Sequence, residues 1–253
     1  MDFTVNTYKR LLQSLINKAY NFQTFAEFLK APDAKSIILR HDVDLLPFHS
    51  LAFAEIQAEK GIKGSYYFRA VPQSWNEAVI KKIAGMGHEI GYHYECLTTC
   101  NGHLERAFLD FEKNLAALRK LAPVSTICMH GSPLSKYDSR DLWKTYDYKK
   151  YGLSGEPYFD VDFKKVFYLT DTGRRWDGQR VSVRDKVISS FSSLSFHATQ
   201  ELIDTCDSGN LPPQIMFTFH PQRWTNNPAL WVKELVAQNL KNQVKRLIIT
   251  QGR

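Results

Sequence analysis

Arg40-His41-Asp42-Val43-Asp44 closes an apolar run, Ser36-Ile37-Ile38-Leu39. Two carboxylates one residue apart at the C-terminal mouth of a buried strand carry a desolvation cost that a bound cation or a reaction would offset. Alternate residues of a strand share a face, so Asp42 and Asp44 address one site while Val43 points into the packing. Three further segments end or follow strand-like stretches with a histidine: Gly87-His88-Glu89-Ile90-Gly91-Tyr92-His93, Cys128-Met129-His130-Gly131 and Phe217-Thr218-Phe219-His220-Pro221.

Asp-x-Asp after a strand has two chemical uses. In one, a carboxylate binds a divalent metal while the other takes a proton from metal-bound water, as hydrolysis of an amide or ester requires. In the other, the first Asp is a nucleophile for phosphoryl transfer, as in haloacid-dehalogenase-type phosphatases. Those usually show Asp-x-Asp-x-Thr/Val near the N-terminus, whereas here Leu46 holds the last position and a long segment precedes the motif. Taken alone, the pair also fits a structural role, capping the helix after Pro47.

The elements that must position these residues are readable from periodicity. Tyr8 to Ala19 has apolar residues at helical spacing, and a short helix around Thr24 to Leu29 follows; together they form an N-terminal helical cap over residues 1–33. From Ser36 strands and helices alternate: strand to Asp42, helix Phe48 to Lys60, strand Gly64 to Arg69, helix Trp75 to Met86, strand His88 to Tyr94, helix Leu104 to Leu121, strand Val124 to Met129. Ser132 to Arg184 reads as long loops with two short strands, Tyr158 to Phe163 and Val166 to Thr170, before a last strand, Gln214 to Phe219, and helix, Leu230 to Gln243. The alternation predicts an α/β fold of parallel strands with helical crossovers, a barrel or near-barrel in one domain. Asp42, Asp44, His93, His130 and His220 then fall at one mouth.

The second segment carries a specific resemblance. Gly87-His88-Glu89-Ile90-Gly91-Tyr92-His93 is similar to the Gly-His-Glu-Ile-Gly-Asn-His segment of polysaccharide deacetylases, the NodB-like carbohydrate esterases. Arg40 to Asp44 stands in the place of that family's first aspartate motif, and residues 36 to 221 follow its motif order. The resemblance implies a distorted (β/α) barrel binding a divalent metal, commonly zinc, through one Asp and two His. By position, Asp42 is the base, Asp44 the metal carboxylate, His93 the first metal histidine and His220 the proton donor to the leaving amine; His88 supports the loop. The family usually has His-x-x-x-His, but Leu97 stands four residues after His93 and cannot bind a metal. His130, at the end of the next strand, is the expected replacement. Glu95 is the runner-up, as a ligand or as the partner that orients His93.

Arg40 replaces a usual Ser or Thr and either pairs with Asp42 or binds an anionic substrate group. Arg174, Arg175 and Trp176, with Arg223 and Trp224, place Arg beside Trp, a combination that binds a carboxylate or phosphate and stacks on a sugar face, or else is solvated charge with a packed aromatic. Asp138 and Asp141 read as helix-start caps. A formal charge of +7 and pI near 9.1 favour anionic partners, yet Lys and Arg are spread without a basic tract, which argues against nucleic acid. No apolar run reaches membrane-spanning length, the first residues lack a signal-peptide core, and four cysteines without a Cys-x-x-Cys pair suit a reducing cytosol. A zinc site on Cys96 and Cys100 competes with separate packing roles for the two thiols. The expectation is a cytoplasmic, zinc-dependent hydrolase of an N-acylated sugar or related amide, with an anionic precursor of a surface glycan favoured; a degenerate glycan-binding or structural member is the alternative, and a phosphatase the third.

Overall fold

The computed structural model describes residues 1–132, 134–177, 187–191 and 193–251, so Pro133 and the 178–186 part of the loop expected from Ser132 to Arg184 lie outside the described residues. In chain order the elements are α1 (Val5–Asn17), β1 (Asn21–Gln23), α2 (Phe25–Lys30), β2 (Ser36–Val43), α3 (Pro47–Glu59), β3 (Ser65–Phe68), α4 (Glu77–Gly85), β4 (Glu89–Tyr94), α5 (Cys96–Thr99) and α6 (Leu104–Arg119), followed by β5 (Val124–Met129), α7 (Pro157–Asp160), β6 (Phe167–Thr170), α8 (Thr199–Asp207), β7 (Gln214–Phe219) and α9 (Pro228–Gln251). Every ladder is parallel, in the order β5-β4-β3-β2-β7-β6. The fold is thus α/β with a parallel sheet, as the alternation predicts.

Strand periodicity divides the side chains between two cores. On β2, Ile37, Leu39 and Val43 face a core shared with the helices, whereas Ile38 joins Tyr67, Cys128, Tyr168 and Met216 in a second cluster. That inner cluster draws on β2, β3, β5, β6 and β7 at once, so the sheet curls around it. Among the described residues the curl is not closed by a ladder between β5 and β6; Gly155 supplies an isolated parallel bridge to Thr126 beside β5.

The N-terminal segment is more than a helical cap. β1 pairs with β2 from Asn21↔Ser36 to Gln23↔Ile38, and β3 takes over the same edge of β2 from Arg40. Three residues are too few to show a strand alternation, which is why periodicity alone shows only helices there. α2 begins with a capping box on Thr24 and Glu27 and places Phe25 and Phe28 in the inner cluster. Its first turn is anchored by Ser65 Oγ, which accepts from Phe25 N at 2.8 Å, and by Glu89 Oε2, which accepts from Ala26 N at 3.1 Å.

A second difference concerns Tyr158 to Phe163, expected as a strand. The chain forms α7 instead, because Pro157 sits at the first helical position and the Glu156 carboxylate accepts from Tyr158 N at 2.6 Å. Asp138 caps the 3₁₀ turn Ser139–Lys144, accepting from Arg140 N.

Gly91 is the tightest point of the inner face. A Cβ there would stand 2.3 and 2.4 Å from ring atoms of Tyr67 and 3.1 Å from Thr126 O. The Tyr67 ring is buried and its hydroxyl bonds Thr126 Oγ1 at 2.9 Å, so it cannot yield without losing that bond. Gly91→Ala is therefore expected to lower unfolding free energy by about 1–3 kcal/mol in urea denaturation. Gly85→Ala, at the end of α4 where a Cβ meets nothing within 4 Å, is expected to raise it by about 0.5 kcal/mol.

Candidate metal centre

The inner-face residues nearest the strand ends converge at the C-terminal mouth. β2 brings Asp42, β4 brings His93, and the residues just after β2, β5, β6 and β7 bring Asp44, His130, Asp171 and His220. Asp44 N donates to Asp42 O at 3.0 Å, and Leu46 takes a left-handed φ of 53° before Pro47 opens α3. This turn keeps Asp44 against the mouth, with its carboxylate only 17% exposed.

Asp44 Oδ1 lies 3.6 Å from His93 Nε2 and 3.5 Å from His130 Nε2, too far for hydrogen bonds, and it has no hydrogen-bond partner. The three donor atoms all lie within 4.8 Å of one another. Both rings turn the other nitrogen to an acceptor: His93 Nδ1 is 2.9 Å from Cys128 O, and His130 Nδ1 is 2.9 Å from Glu95 Oε2. A carbonyl and a carboxylate accept only, so each Nδ1 carries a hydrogen and the neutral form of each ring presents its Nε2 lone pair to Asp44. Burial brings the His93 imidazole down to about 4, against the pull of Asp42 and Asp44, so it is neutral at pH 7. Burial pushes the Asp44 carboxyl up, but the positive charge that His130, His220 and His93 carry when protonated outweighs it and holds it below the usual range. Donors around a tetrahedral zinc with bonds of about 2.0–2.2 Å stand about 3.3–3.5 Å apart, close to the separations from Asp44 Oδ1. The residues fit a divalent ion.

Asp42 occupies the next position down the inner face. Arg40, 1% exposed, grips it with both arms, Nε to Oδ1 at 2.8 Å and Nη2 to Oδ2 at 2.7 Å. Burial would raise the Asp42 carboxyl, yet Arg40 and then His93 hold it well below the carboxylate range. Oδ2 also lies 3.6 Å from His93 Nε2, and Asp42, His93 and Cys128 form a second, deeper grouping of possible donors. With the Arg40 guanidinium against Asp42, this deeper position is the less hospitable to a cation.

His220 faces the centre from β7, with Nε2 3.9 Å from Asp44 Oδ2. Its Nδ1 meets Asp171 Oδ1 at 2.6 Å, which fixes the hydrogen on Nδ1. Asp171 is fully buried and also accepts from His220 N, Arg223 Nη1 and Trp224 Nε1 at 2.9, 3.0 and 2.7 Å. Sequence reading does not single out Asp171, although it follows a strand just as Asp42 and Asp44 end one. That placement is the signal that could have found it.

The expected substrate-binding residues are held elsewhere or otherwise. Arg40 is sealed under Asp42, so it pairs with Asp42 and is not offered to a substrate anion. Arg223 and Trp224 are buried donors to Asp171. Trp176, 3% exposed, packs on Phe3, Phe217 and Phe219 and donates to Thr199 Oγ1, leaving no face for a sugar. Arg174 lies over the Phe3 and Trp231 rings, and Arg175 forks onto Asp177. Adjacent residues in these loops alternate between core and partner, which a local Arg-Trp pattern does not reveal. Glu95, the runner-up ligand or else the expected partner of His93, meets His130 Nδ1 instead. Leu97 is buried in the outer core, and His88 ties Gly64 N to Ala54 O. Cys96, Cys100 and Cys206 are free thiols; Cys96 is buried beside the Tyr92 hydroxyl, and among the described residues neither Cys96 nor Cys100 joins a group of possible metal donors.

No family model matches the chain, and no curated protein does. Among solved structures, the chain is similar to a CE4 family pseudoenzyme from Bacillus anthracis, with 12% identity, a TM-score of 0.45, and coverage of 85% of this chain and 62% of that one. It spans less than two thirds of that protein's length. It is also similar to a family 4 carbohydrate esterase from Streptomyces lividans, solved in complex with acetate, at 13% identity and a TM-score of 0.40, covering 83% and 87% of the two chains. A third similarity is to the Xyl-CE4 domain of a multidomain xylanase from the hindgut metagenome of Trinervitermes trinervoides, at 13% identity and a TM-score of 0.40, covering 83% and 85%.

Proposed function

We propose that this chain is a metal-dependent hydrolase that removes an acyl group from an N-acylated sugar or a related amide, on a precursor of a surface glycan. The observation that carries the reading is the meeting of Asp44 Oδ1, His93 Nε2 and His130 Nε2 beside Asp42 and His220 at one strand-end mouth. Two imidazoles and a carboxylate suit zinc. When bound, such an ion polarises a carbonyl and lowers the pKa of water. Asp44, His93 and His130 would hold it, and the hydrogen bonds at both Nδ1 atoms keep the ligand nitrogens aimed.

Asp42 is the proton acceptor of this reading, its Oδ2 facing the site beside His93. His220 gives a proton to the departing nitrogen from Nε2, while Asp171 keeps the Nδ1 hydrogen in place and stabilises the imidazolium. No described helix is long and apolar enough to cross a membrane, and the free thiols of Cys96, Cys100 and Cys206 fit a cytoplasmic location. The overall charge of +7 favours an anionic, nucleotide-linked or lipid-linked substrate.

One observation favours a second reading, a member that binds a glycan without hydrolysing it. The forked pair with Arg40 depresses the proton affinity of Asp42 and so weakens it as a base.

Purified chain is expected to bind one zinc, measured by elemental analysis after dialysis, and to release acetate from N-acetylglucosamine oligosaccharides. Asp44→Ala and His130→Ala should lose acetate release and no longer hold zinc through dialysis. Zinc binding with sugar binding but no acetate release would select the second reading; a chain that takes up no zinc would sink the mechanism. Asp171→Asn should retain zinc yet lower kcat by about 100-fold or more, since an Asn amide can donate to His220 Nδ1 and favour the wrong tautomer. An unchanged kcat in that variant would remove His220 from the acid role.

A further inference from the structure

We propose that Glu95 is the positioning residue that makes His130 a usable ligand, and that Arg69 holds Glu95 for that task; the inference rests on the metal reading above. His130 needs such a device. It sits just past β5, followed by Gly131 and by Ser132 at a φ of 34°, so its backbone leaves the strand as soon as the ligand has been delivered. His93 lies within β4, its Nδ1 fixed by the strand carbonyl of Cys128. For His130 the corresponding acceptor is a side chain, the Glu95 carboxylate at 2.9 Å, with Ser132 Oγ 3.0 Å from the same nitrogen and donating to Glu95 Oε2 at 3.2 Å.

Glu95 is itself fixed. Arg69 Nε and Nη2 reach its Oε1 at 2.8 and 2.7 Å, and Arg69 Nη1 donates to Asp44 O at 3.3 Å. Arg69 and Glu95 thereby tie the backbone of one ligand residue to the ring of another. Glu95 touches the ring nitrogen that faces away from Asp44, so it serves His130 from behind and does not share the ion. A carboxylate behind a ligating imidazole fixes its tautomer and raises the basicity of the ligating nitrogen.

The test measures zinc affinity of the full chain by competition with a chromophoric chelator, and the His130 tautomer of the metal-free chain by long-range ¹H–¹⁵N correlation. Glu95→Gln is expected to weaken zinc binding by about 10–100-fold. Glu95→Gln/His130→Ala should bind no more weakly than His130→Ala alone, because Glu95 acts only through that ring. Wild-type zinc affinity in Glu95→Gln, or an additive loss in the double variant, overturns the proposal. Wild-type chain that takes up no zinc overturns the metal reading and this proposal with it, whereas zinc bound equally by wild type and Glu95→Gln overturns this proposal alone. Should Glu95→Gln fail to fold, the wild-type spectrum still decides: hydrogen on His130 Nδ1 supports the assignment, and hydrogen on Nε2 overturns it.

Discussion

Two imidazole nitrogens and a carboxylate oxygen face one another across gaps of 3.5 and 3.6 Å at the mouth of the sheet. Three lone pairs aimed at one point repel unless a proton or a cation lies among them. At His93 the surroundings oppose the proton. Burial holds the His93 imidazole neutral at pH 7, and both rings spend their Nδ1 hydrogens on acceptors behind them. A divalent cation relieves the repulsion at all three atoms, and the functional reading proposed here depends on that constraint.

The parallel sheet supplies the geometry. With every strand running the same way, strand ends from β2, β4, β5, β6 and β7 open at one mouth, and the period of two sends alternate residues inward. The inner face then grades from apolar Ile38 and Met216, through Arg40, to Asp42 and the histidines. Arg40 balances Asp42 deep in the sheet, which leaves Asp44 as the carboxylate without a hydrogen-bonded cation. The division between the two aspartates is thus a matter of depth: one is neutralised from below, and the other is left to what occupies the mouth.

Much of this was legible in the sequence because it depends on strand ends. Asp44, His93 and His130 each terminate or follow an apolar stretch, and parallel strands bring such positions together whatever their separation along the chain. Side-chain partners across loops were less legible. Trp176 and Trp224 stand next to arginines, but tertiary packing turned both into the core, and Trp224 became a donor to Asp171. Glu95 shares the side of His93 along the chain, yet the ring it reaches belongs to the neighbouring strand end. β1 was too short to show its period, and α7 was set by Pro157 and the Glu156 cap against an aromatic run that reads as strand.

The most direct measurement is anomalous diffraction at the zinc edge from crystals grown with zinc. One peak per chain is expected, about 2.0–2.1 Å from both His93 Nε2 and His130 Nε2 and about 2.0–2.2 Å from Asp44 Oδ1. A peak on Asp42, His93 and Cys128, or no peak at the mouth, would contradict it.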